Sequence, residues 1–111
     1  MNLLVTPAAL QDLKDIQKYI RDELSNPIAA DKTVRNIISK YKKLADMPFM
    51  GTPLQQTISI DVPFRYLVSG SYLIFYKVTD NIEIHRIIYG RRDYIRILFD
   101  MNFSEDDFES E

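Results

Sequence analysis

The sequence predicts an α+β domain in which a helical hairpin packs on one face of a curved, mainly antiparallel sheet, in the order β-α-α-β-β-β-α. Three observations predict it. Two amphipathic segments, each opened by a capping residue and a proline, follow one another closely in the first half. The second half changes to β-branched and aromatic runs separated by short turns. A short apolar run, Leu3-Leu4-Val5, precedes both and reads as a first strand.

Thr6-Pro7 opens the first helix, with threonine as N-cap and proline at the first helical position, where its missing N–H costs nothing. Leu10, Leu13, Ile16, Ile20 and Leu24 recur at three- and four-residue steps and predict one apolar face over residues 7–24. Asn26-Pro27 repeats the start signal. The break is so short that the second helix must fold back antiparallel on the first. Its stripe is Val34, Ile37, Ile38, Tyr41 and Leu44, and its outer face carries Lys32, Arg35, Lys40, Lys42 and Lys43. Pro48 and Gly51-Thr52-Pro53 end it.

Residues 57–60 alternate and read as a strand. Phe64-Arg65-Tyr66-Leu67-Val68 is the next, and Ser69-Gly70-Ser71 turns the chain into the β-rich run Tyr72 to Val78. Asp80-Asn81 reads as a two-residue hairpin turn. Residues 82–89 form the last strand, apolar on both faces toward its end and therefore central. Gly90 breaks it, and Arg91-Arg92 follows, the one place where two arginines are adjacent. Asp93 caps a final helix over residues 93–100. The domain spans residues 1–100, and residues 101–111 form an acidic C-terminal tail.

Composition narrows the chemistry. There is no cysteine, hence no disulfide, thiolate nucleophile or cysteine zinc site, and a single histidine, His85, argues against a histidine-rich metal centre. No cofactor is expected. No apolar run approaches the roughly 18–20 residues of a membrane helix, and the first residues lack a signal-peptide pattern. The expected compartment is the cytoplasm, away from membrane. The net charge of −2 hides an asymmetry: residues 1–99 hold all 14 basic and ten acidic side chains, net +4, while residues 100–111 hold six acids. A mildly basic body with an acidic tail points to a polyanionic partner, with a tail able to mask the basic surface by folding over Arg91 and Arg92.

Three stretches in order resemble one family. Thr6-Pro7-Ala8-Ala9-Leu10-Gln11-Asp12-Leu13 resembles its opening S/T-P-x-A-x-x-D-L. Phe64-Arg65-Tyr66-Leu67-Val68 with Tyr72-Leu73-Ile74-Phe75-Tyr76 resembles Y-R-x-L-V…Y-x-I-F-Y. Ile84 to Tyr94, through His85-Arg86-Ile87-Ile88-Tyr89-Gly90-Arg91-Arg92-Asp93, resembles I-x-R-I-x-H-G-R-R-D. The chain is similar to the RelE/ParE toxins of type II toxin–antitoxin systems. The resemblance implies a growth-arresting toxin in a hetero-oligomer with a cognate antitoxin, reaching operator DNA only through that antitoxin. Its first functional reading is metal-free, ribosome-dependent mRNA cleavage of the RelE kind, an endoribonuclease activity. The alternatives are a ParE-like poison of DNA gyrase and an inactive antitoxin-binding module.

Metal-free RNA cleavage needs a base for the 2′-OH, a cation for the phosphorane and an acid for the leaving oxygen. Arginine suits the middle role, because it is always charged and its fork matches phosphate oxygens. On this reading Arg65, Arg92 and Tyr94 are the catalytic candidates, and Arg91, Lys77 and Arg86 the target- or phosphate-binding ones. His85 lies about two residues too early in its strand to join the arginines. Tyr72 and Tyr89 offer stacking surfaces. The sequence also departs from the RelE pattern: Leu73 stands where an arginine is usual, and Tyr89 where a histidine is usual.

Overall fold

The computed structural model describes residues 1–58 and 61–90 together with Tyr94 and Ile97. Five strands form one mixed sheet: β1 (Leu3–Val5), β2 (Thr52–Pro53), β3 (Phe64–Ser69), β4 (Tyr72–Val78) and β5 (Ile82–Tyr89), in the spatial order β1-β5-β4-β3-β2. β3, β4 and β5 are an antiparallel meander, and β1 joins β5 in parallel with Leu3 opposite Ile82 and Val5 opposite Ile84. The last strand is thus interior, as its two-sided apolar pattern requires.

Helix α1 (Pro7–Lys18) starts on Thr6, whose hydroxyl accepts the Ala9 N–H. It continues as a π-helical turn, Tyr19–Glu23. Ser25 takes a left-handed φ of 51° and reverses the chain. Helix α2 (Pro27–Lys42) then starts on Asn26, whose side chain accepts the Ala29 N–H. Gln17 on α1 donates to Asp31 on α2 at 3.0 Å. The apolar stripes of both helices face the sheet: Ala9, Leu13, Ile37, Tyr41 and Leu44 pack on Leu67, Ile74, Tyr76, Ile82, Ile84 and Ile87. Dispersion and water exclusion across this layer hold the hairpin to the sheet.

The opposite face of the sheet has a core of its own. Leu54, Phe64, Phe75 and Ile88 are buried there, with Val62, Tyr66, Leu73, Tyr94 and Ile97 packed around them. A sheet covered on both faces explains why β4 is apolar at consecutive positions Ile74, Phe75 and Tyr76, all fully buried.

Several expectations change. The alternating residues 57–60 do not extend the sheet over the described part: residues Gln55–Ile58 form a helical turn, α3, and positions 59–60 lie outside the described residues. Leu54 is anchored in the second core, the Thr57 N–H bonds its carbonyl, and the Thr57 and Tyr66 hydroxyls meet at 3.1 Å. Tertiary anchoring overrides a period too short to distinguish helix from strand. The outer edge strand is β2 instead, pairing Thr52 with Tyr66 and Pro53 with Arg65. The β4–β5 connection is three residues rather than two, because Val78 pairs with Ile82 and the Thr79 N–H bonds the Asn81 carbonyl. Tyr94 and Ile97 are helical, while the remaining positions of the expected final helix and the acidic tail lie outside the described residues.

Candidate functional site

Thr6 and Asp12 fasten α1 along β5. β1 stops pairing at Ile84; beyond it, the Thr6 N–H bonds the Ile84 carbonyl and the Thr6 hydroxyl donates to the His85 carbonyl at 2.8 Å. The Asp12 carboxylate then accepts three bonds of 2.8 Å, from Arg86 Nε, from Arg86 Nη2 and from the Ile87 backbone N–H. Arg86 Nη1 also reaches the Ile97 carbonyl at 3.4 Å. The strand bulges here: Tyr76 faces Ile84 and Phe75 faces Arg86, so His85 is the extra residue. Such a bulge re-aims the side chains that follow it. The T-P-x-A-x-x-D motif and the arginine of the third motif are therefore two halves of one polar clasp.

Next to this clasp lies a groove of about 600 Å³, lined by Ile16, Tyr19 and Leu24 from the hairpin, Tyr72, Ile87, Ile88 and Tyr89 from the sheet, and Ile97, with Asp12, Asp15 and Arg86 at its polar side. Tyr19 and Leu24 are more than half exposed. The π-helical turn carries Tyr19 into this lining; such turns recur at functional positions. Tyr72 and Tyr89 pack edge to face at 5.7 Å. Burial, with smaller contributions from Tyr89 and Tyr19, pushes the Tyr72 phenol above its ordinary value. Tyr72 is thus held neutral at physiological pH and is no ready proton carrier.

The described candidate cations, Arg65, Arg86 and Lys77, each engage a different part of the fold. Arg65 donates through Nε to the Gly51 carbonyl and through Nη2 to the Phe49 carbonyl, both at 3.1 Å, and its guanidinium lies 5.3 Å from the Phe49 ring centre. Arg86 is engaged by Asp12. Lys77 pairs with Glu83 at 3.2 Å on the surface. Tyr94 stacks on Phe75 at 5.4 Å in the second core, and His85 packs against Phe64 at 4.8 Å. Leu73 belongs to that second core as well. Arg91, Arg92 and Asp93 lie outside the described residues. Among the described residues, no three of His, Asp and Glu gather as metal ligands would, and no helix is long and apolar enough to cross a membrane.

Sequence reasoning missed the role of Asp12. The signal was present as an acid on the apolar side of an amphipathic helix, one position before buried Leu13. The exposed turn at Met47–Met50 was read as a helix terminator only.

A two-helix hairpin on a five-stranded mixed sheet, with an apolar groove beside α1, is the architecture that the toxin–antitoxin resemblance implies. The pattern described as "ParE toxin of type II toxin-antitoxin system, parDE" matches residues 3–94. The chain belongs to the ParE toxin family of type II toxin–antitoxin systems. It is 31% identical over 81 residues to Toxin ParE1 of Caulobacter vibrioides, covering 73% of this chain and 80% of that protein. Among solved structures, the chromosomal ParDE TA system from P. aeruginosa superposes with a TM-score of 0.67 at 27% identity, over 80% of this chain and 95% of that one. The affiliation corrects the first functional reading: the relatives are ParE toxins, and ribosome-dependent mRNA cleavage is not supported.

Proposed function

We propose that the chain arrests growth as a protein-directed inhibitor of DNA gyrase, without catalytic chemistry of its own, and that its antitoxin neutralises it by laying an apolar segment into the groove beside α1. The observation that carries the reading is the internal engagement of Arg65 and Arg86. A phosphate clamp needs guanidinium groups converging on one empty point; these two instead serve a loop and a helix on different elements. Membership of the ParE family supports gyrase over the ribosome, and the exposed Tyr19 and Leu24 beside the groove support an apolar antitoxin segment, of the helix-in-groove or strand-addition kind.

The test is a paired assay with the purified chain. Supercoiling by gyrase should be inhibited, with cleaved DNA accumulating, while a cell-free translation reaction should proceed with intact mRNA. Cuts in ribosome-bound mRNA alongside unaffected supercoiling would overturn the proposal. Leu24→Glu should weaken antitoxin co-purification, because a second carboxylate in the groove that Asp15 also lines must be desolvated by any apolar partner.

A further inference from the structure

At the other edge of the sheet from the groove, on the β2–β3 side, the chain displays a second apolar surface. Met47, Phe49 and Met50 are 52%, 63% and 37% exposed. They share one tight turn, closed by the Met50 N–H on the Met47 carbonyl at 3.2 Å. The turn is fixed from beneath. The Gly51 N–H donates to the buried Tyr76 hydroxyl at 2.8 Å, and Arg65 clamps the Gly51 and Phe49 carbonyls while lying against the Phe49 ring. Four contacts thus hold in place a segment whose three large apolar side chains are left in water. Fastening of this kind does nothing to bury those side chains. It does remove the ordering cost that a partner would otherwise have to meet on contact.

We propose that this turn is the surface by which the toxin grips its protein target, with Phe49 as the anchor inserted into an apolar pocket whose rim carries carboxylates. Aromatic residues, methionine and arginine are the types enriched at the centres of protein–protein contacts, and one rigid aromatic anchor commonly dominates such a contact. The rim chemistry follows from charge. Exposed Lys42 ends α2, exposed Lys43 opens the short 3-10 turn Lys43–Ala45 that leads to exposed Asp46 and Met47, and the Met47 N–H bonds the Lys43 carbonyl. Lys42, Lys43 and Arg65 outweigh the one neighbouring acid, Asp46, so the surface around the apolar centre is net cationic and calls for the opposite arrangement on the partner. Arg65 is here a positioning residue: it shapes the turn and stiffens Phe49. The inference rests on the reading of the chain as a toxin with a protein target, and it separates that contact from the antitoxin groove, which is built from α1, β4 and β5.

The experiment uses the full chain with Phe49→Asp, Phe49→Leu and the pair Lys42→Glu/Lys43→Glu. Growth arrest on induction, gyrase supercoiling and antitoxin co-purification are read together. Phe49→Asp should raise the concentration for half-inhibition at least tenfold and relieve growth arrest. Phe49→Leu should retain most activity, and the lysine pair should lose several-fold, most at low salt. All three should fold with the wild-type circular dichroism spectrum and keep their antitoxin. Unchanged arrest by Phe49→Asp overturns the proposal. So does loss of antitoxin binding with inhibition intact, which reassigns the turn to the antitoxin. Wild-type binding to single-stranded RNA or DNA that Phe49→Asp abolishes would overturn the protein pocket in favour of nucleic acid. A wild-type chain that arrests growth without touching gyrase refutes the gyrase reading alone, because Phe49→Asp then still decides the surface through growth. A wild-type chain that is harmless has no target to grip and refutes both.

Discussion

Asp12→Ala is the most informative perturbation of the fold, because one carboxylate ties α1 to β5 at both side chain and backbone. The substitution leaves the Ile87 N–H without its acceptor, which costs about 1–3 kcal/mol. It also strips Arg86 of a bidentate partner. Breaking a buried ion pair by removing one member costs about 3–5 kcal/mol. Here the side chains of Arg86 and Asp12 are 24% and 11% exposed, so water recovers part of that. The expected total is about 3 kcal/mol, which for a domain of this size is a fall of about 13 °C in Tm at an unfolding entropy near 2.1 cal/mol/K per residue. The chain has no tryptophan, so urea unfolding followed by far-UV circular dichroism is the suitable assay. A double-mutant cycle with Arg86→Leu separates the two parts. In that background Asp12→Ala should cost only about 1–2 kcal/mol, the share of the Ile87 N–H, giving a coupling of about 1–2 kcal/mol. A single-mutant cost under about 0.5 kcal/mol, the value of an ordinary surface pair, would refute the reasoning.

Two further outcomes follow from packing and ionisation. A Cβ on Gly51 would meet the Tyr76 hydroxyl at 2.6 Å and the Tyr66 carbonyl at 2.7 Å, so Gly51→Ala should destabilise by about 1–3 kcal/mol through forced repacking and lower the urea midpoint. Burial holds the phenols of Tyr41 and Tyr72 above their ordinary value, so the folded state binds these protons more tightly than the unfolded chain. That stability is fully present below the unfolded value of about 10 and is lost as pH rises past it through the folded values. Thermal unfolding across pH 8–11 should show the decline at the alkaline end, and Tyr41→Phe should make it shallower.

Periodicity and capping carried most of the fold. Thr6-Pro7 and Asn26-Pro27 marked both helix starts because each cap is a local side-chain bond to a backbone N–H three residues on. The meander was legible because Gly70, at a φ of 58°, marks its tight turn. The second core was not legible. It is assembled from Leu54, Phe64, Phe75 and Ile88, residues far apart in sequence whose apolar character alone does not say which face they join. The internal engagement of two candidate arginines was not legible for a related reason. Arg65 and Arg86 looked like phosphate ligands because residue type fits that chemistry, yet the partners that occupy them, a loop carbonyl pair and Asp12, come from distant segments. Tyr72 and Tyr89 were noticed as stacking surfaces, but Leu24 was read only as a member of a helical stripe and Tyr19 was not singled out. The π-helical turn that exposes them has no signature in a four-residue period.

The parallel pairing of Leu3 with Ile82 has a consequence for how the protein is made. β5 lies between β1 and β4, so an interior strand of the sheet is the last to be synthesised. A ribosome that has made only the hairpin and β3 has produced two amphipathic helices with only Leu67 of the sheet's helix-facing core to pack on. β1 waits some eighty residues for its neighbour, and the clasp on Asp12 waits equally long for Arg86. Non-local pairing of this kind makes folding late and close to all-or-none. A chain stalled before Arg86 therefore lacks both the parallel partner of β1 and the clasp on Asp12, and the sheet closes only once the strand through Tyr89 has been made.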